Sequence, residues 1–124
     1  MTLQEKTLKI VRRLLVLTTE KSCTWKYERL LINDNHQALF FDSFKTELKS
    51  GWVCISKNQK ESFVIGFGKN DSLIYSECYE NSSHKYDWDV SITYPLLRTL
   101  YKEIITLTDP EGEIIDLLLE ELKI

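Results

Sequence analysis

Glycine and proline are scarce in this chain: four and two among 124 residues. So few leave no stretch for a flexible linker and little for the glycine-rich loop that wraps phosphates. Cysteine is sparse too, and Cys23, Cys54 and Cys78 form no close-spaced pair. That excludes a disulfide framework and fits a reducing, cytoplasmic setting. The longest apolar runs, Leu14 to Leu17 and Leu117 to Leu119, fall far short of a membrane span. The opening Met-Thr-Leu-Gln-Glu-Lys holds an acid and no apolar stretch, so no secretion signal is expected. A basic excess is missing as well. The sequence pI near 5.4 argues against nucleic acid as the partner.

What is present is an ordinary folding composition. Apolar residues make up 43% and charged ones 28%, enough for one domain over residues 1–124 that needs no metal staple. The charge is unevenly placed. Residues 1–30 hold seven basic groups against three acids, while residues 109–124 hold six acids against Lys123 alone. Such polarity bears on association more than on fold.

Periodicity supplies the elements. Residues 3–18 have helical spacing, with Thr2 as cap, Leu3, Ile10, Val11, Leu14, Leu15 and Leu17 on one side, and Lys6, Lys9, Arg12 and Arg13 clustered opposite. Cys23 to Leu31 alternates like a strand, and Asn33 to His36 is turn chemistry. From Leu39 the period is again near two. Trp52 to Ser56, Ser62 to Gly68 and Leu73 to Tyr79 follow as short strands at hairpin spacing. The glycines of SFVIGFG predict a bulge or a close backbone approach. After a polar loop, Glu80 to Asp89, helical spacing returns around Leu96, Leu97, Leu100, Tyr101 and Ile104, with Pro95 in the first turn and a break at Thr106 to Thr108. Asp109-Pro110 then starts a last helix. The expected fold is α+β: an N-terminal helix, an antiparallel meander of four or five strands, and two C-terminal helices packed on one face of the sheet, the other face partly wet.

Candidate chemistry is thin. A metal site from Cys23, Cys54, Cys78, His36 and His84 has no pair at ligand spacing, and a cysteine among Trp52, Val53 and Ile55 suits a core. Cys78 and His84 lack the strained turn that exposes a nucleophile. Asp42, Glu47 and Lys49 sketch the acid and E-x-K arrangement with which a magnesium-dependent nuclease holds its ion and activates water. Lys6, Lys9, Arg12 and Arg13 offer a face to an anionic partner such as nucleic-acid phosphate. The aromatics Tyr75, Tyr79, Tyr86, Trp88 and Tyr94 are of the amphipathic kind that interfaces use.

In ALFFDSFKTELKSGWVCIS, SFVIGFGKNDSLIY and LLRTLYKEI the chain resembles small bacterial accessory proteins of conflict and phage-defence gene neighbourhoods. That resemblance implies a small α+β subunit of a larger assembly and no catalytic residues. A looser likeness, to type III secretion chaperones, departs at the meander, which no helix interrupts.

The surplus of apolar helix surface is the most informative feature. At about 100° per residue, Ile114, Ile115, Leu117, Leu118, Leu119, Leu122 and Ile124 spread over roughly 220° of the last helix. One core needs a stripe of only about 100°. The expectation is a non-enzymatic interaction module without cofactor or metal, docked on a protein partner or on itself. Leu118, Leu119 and Leu122 are its contact residues and Tyr86 and Trp88 its aromatic anchors.

Overall fold

A computed structural model describes residues 1–34, 37–57, 62–80, 88–108 and 110–123, with the side chains of 29–34, 37–42, 88–91, 110 and 113 outside that description. The element order is α1 (Leu3–Thr19), β1 (Lys26–Asp34), β2 (Gln37–Glu47), β3 (Trp52–Lys57), β4 (Phe63–Lys69), β5 (Ser72–Tyr79), α2 (Trp88–Thr108) and α3 (Pro110–Leu122). The five strands form one antiparallel sheet in the order β1-β2-β3-β4-β5. This is the expected α+β arrangement.

α1 starts where its cap dictates. The Thr2 hydroxyl accepts from the Glu5 amide at 3.1 Å, and the Glu5 carboxylate accepts from the Thr2 amide at 3.2 Å. This reciprocal box satisfies two of the amides that a helix start leaves unpaired. The helix buries Thr7, Leu8, Val11, Leu14 and Thr18. The apolar side read from the sequence is therefore rotated: Leu3 and Ile10 lie off the buried arc and stay exposed.

The core is the space between α1, α2 and one sheet face. Val11 and Leu14 meet Phe44, Val53, Ile55, Phe63, Ile65 and Tyr79 from the sheet, and Tyr94, Leu97, Leu100 and Ile104 from α2. The rings pack edge-on or tilted, Phe63 lying 5.5 Å from both Tyr94 and Tyr101. Trp25 precedes β1 and is fixed by its indole N–H, which donates to the Thr18 hydroxyl at 2.9 Å.

Three boundaries differ from the sequence reading, each for a physical reason. β1 runs on through Asn33 and Asp34, because Asp34 pairs with Gln37 and the connection shrinks to two residues. α2 begins at Trp88, not near Pro95. The β-branched Val90, Ile92 and Thr93 are weak helix formers, but burial of Thr93 and Tyr94 against the sheet overrides that. Pro95 then sits inside the helix on its exposed side, where the carbonyl it leaves unpaired can face water. Thr106 and Thr108 do not break α2. Their hydroxyls donate back to the carbonyls of Lys102 and Ile104 at 2.9 and 2.8 Å.

The second sheet face is drier than expected. Along β3 every residue from Trp52 to Ser56 is buried, so both faces of this central strand are covered. The bulge foreseen from the glycines lies between Phe67 and Gly68, where the β4–β5 register shifts.

Candidate interaction surface

α3 is built to be a helix, yet it buries almost none of its side chains. Pro110 opens it with a preset backbone angle, and Glu111 lies in its first turn, where an acid suits the helix dipole. Ile114, Ile115, Leu117, Leu118, Leu119 and Leu122 are then between 44% and 66% exposed. Scattered apolar residues on a surface need no explanation, but six on one thirteen-residue helix form the contiguous kind of patch that marks an interaction site.

The outer side of α1 is the second exposed feature. Lys6, Lys9, Arg12 and Arg13 all face solvent. Among the described residues no ion pair joins them to an acid; the described pairs are those of Lys45 with Glu28 at 3.7 Å and Glu47 at 3.6 Å. Beside these cations runs a seven-residue repeat of Leu3, Ile10 and half-buried Leu17. Among the described residues no ion pair joins α1 to α3.

Other polar clusters are structural in geometry. Tyr75 and Tyr79 both donate their hydroxyls to the Glu77 carboxylate, which also accepts from the Gln4 amide at 3.1 Å. This clasp ties the first turn of α1 to edge strand β5. Burial, then the hydrogen bond to Glu77 and its charge, push the Tyr75 phenol up to about 12 and the Tyr79 phenol up as well. Both phenols are held protonated in the fold, so their contribution is complete below the unfolded value near 10 and drains away as pH rises through the folded values. Tyrosinate absorbance, compared with that of the Tyr75→Phe and Tyr79→Phe variants, should therefore show these two phenols titrating later than in the guanidinium-unfolded chain. Their titration near pH 10 would contradict the clasp.

An open depression is lined by Cys23, Lys26, Glu28, Lys45, Thr46 and Glu47 among others. In it Lys45 spans the two glutamates and lies 4.9 Å from the Trp52 ring centre. Glu47 ends β2 with an exposed carboxylate, and Lys49 lies beyond the strand in the turn. The E-x-K pair thus does not share a strand. Asp42 pairs with Arg29 along the ladder; its side chain lies outside the described residues. Among the described residues no three His, Cys, Asp or Glu side chains converge as metal ligands would. Cys54 is buried, its thiol pushed up to about 11 chiefly by that burial. Cys23 touches the Thr18 hydroxyl at 3.3 Å, and Cys78 is exposed.

Of the expected contact residues, Leu118, Leu119 and Leu122 are exposed on α3. Trp88 opens α2, with its side chain outside the described residues, and Tyr86, His36 and His84 lie outside them altogether. The aromatic set does not gather at an interface: Tyr79 and Tyr94 are core residues. Exposed Leu73 and Ile74 on edge strand β5 were not anticipated; the signal was two adjacent aliphatics, which alternation cannot hide on one face. Among the described residues no helix is long and apolar enough to cross a membrane. No protein-family model matches this chain, and no curated protein or solved structure is significantly similar to it.

Proposed function

We propose that this protein is a non-catalytic interaction module, a small cytosolic accessory or adaptor subunit that acts by docking α3 on a protein partner. The observation that carries this is the exposure of six aliphatic side chains along one thirteen-residue helix. Leaving such a face in water forgoes about 25 cal/mol for every Å² that a partner would cover.

The test is Leu118→Asp in a tagged copy purified from the native cell. Leu118 is half-exposed, so the variant should keep its circular dichroism and lose the assembly that the wild type forms. Unfolding of the variant would show that Leu118 belongs to a core. A wild type that purifies as a monomer with nothing bound would end the reading.

A further inference from the structure

We infer that the occupant of the α3 face is a second copy of this chain. Each protomer seats its α3 along the Leu3, Ile10 and Leu17 stripe of its partner's α1. This rests on the docking role proposed above and specifies its partner. Three observations support it, and they are independent of one another.

The first is charge. An acidic helix has to choose among surfaces, and pairing α3 with another α3 would set Glu111, Asp116, Glu120 and Glu121 against their own kind. The exposed face of α1 is the opposite case, with Lys6 and Arg13 bordering an apolar stripe and no acid paired to them among the described residues. Opposite potentials across a face fix both partner and register.

The second is length. Leu3 to Leu17 rises about 21 Å along the helix axis and the thirteen residues of α3 rise about 20 Å, at 1.5 Å per residue. The two stripes match end to end. A repeat of seven is also the spacing that keeps a seam facing a neighbouring helix.

The third is exposure. The six aliphatics of α3 stay uncovered by their own chain, and a terminal helix seated on a neighbour is how exchanged-element dimers arise. Exchange by two protomers is reciprocal, so the contact closes at two copies and does not propagate.

The experiment is a charge exchange on the full chain, read by light scattering and sedimentation at micromolar concentration. One variant carries Lys6→Glu and Arg13→Glu, the other Glu120→Lys and Glu121→Lys. Lys6→Glu near the start of α1 and lysine near the end of α3 both suit the dipole, and Arg13→Glu changes an exposed residue in the helix interior, so the helices persist. The wild type is expected to be a dimer, and each variant alone should dissociate at least tenfold more readily. An equimolar mixture should restore the dimer, because both contacts then pair opposite charges.

A dimer indifferent to the α1 substitutions would overturn the inference in favour of α3–α3 pairing. So would a mixture that stays monomeric. A purified wild type that is monomeric, while the tagged copy from the cell carries a different protein lost on Leu118→Asp, would overturn the second-copy assignment alone. The docking role would then stand. Retention of the wild type on DNA or RNA through α1, fading steeply with salt, together with a monomeric state, would assign that face to nucleic acid instead.

Discussion

Leu100→Ala is expected to lower the unfolding free energy by about 2–5 kcal/mol, whereas Leu118→Ala in the isolated chain should change it by less than about 0.5 kcal/mol. The two residues are chemically identical and both lie on C-terminal helices. Leu100 is fully buried among Val53, Ile55, Phe63 and Leu97. Truncating it removes transfer free energy and leaves a cavity that the sheet, braced on its other side, cannot collapse to fill. Leu118 is half in water already. Urea unfolding separates the cases: the Leu100 midpoint should drop with an unchanged slope, a fall in melting temperature of roughly 10 °C or more. Where α3 is covered by a partner, Leu118→Ala should become destabilising by an amount that grows with protein concentration. Equal losses for the two leucines at every concentration would mean that α3 is part of the monomer core.

How much of this was legible beforehand depended on which force set each feature. The meander was plain because alternation and turn residues are local: Phe44 and Thr46 face inward against Lys45 and Glu47, and Asn70-Asp71 turns the chain between β4 and β5. The cap at Thr2 was plain for the same reason. The start of α2 was not, since Val90, Ile92 and Thr93 prefer strands and only tertiary burial makes them helical. The orientation of α1 was half legible. An apolar arc wide enough to include both Val11 and Ile10 does not say which edge is buried; α2 and the sheet decide, and they choose Leu8 over Leu3.

The candidate surface divides along the same line. That Leu118, Leu119 and Leu122 exceed what one core requires can be counted from a helical wheel. That they stay exposed could not be counted there; it is read from the structure. Alternation did not reveal that the outward face of β3 is dry. Cys54 reads as a core cysteine from its neighbours, but Ser56 on the same face is polar and gives no such sign, yet both are fully buried.

Trp52 shows how that second face closes, and Gly68→Ala is the substitution that should undo it. Gly68 is the cross-strand partner of Trp52, and the indole lies so flat over it that a methyl group would overlap the six-membered ring. Its backbone angle is ordinary, so space and not conformation requires glycine here. The ring cannot shift freely. Its N–H donates to the Asn70 carbonyl at 2.7 Å, and the Lys45 ammonium sits 4.9 Å from its centre. A methyl at Gly68 forces the indole out, exposing a large aromatic surface and breaking that hydrogen bond, for a loss of about 2–4 kcal/mol. Near-ultraviolet circular dichroism should lose the contribution of an immobilised tryptophan. Trp52→Leu provides the control: with the ring gone, Gly68→Ala should cost less than about 1 kcal/mol, so the two sites couple strongly in a double-mutant cycle. Additive losses would show that the glycine is required for something other than the indole resting on it.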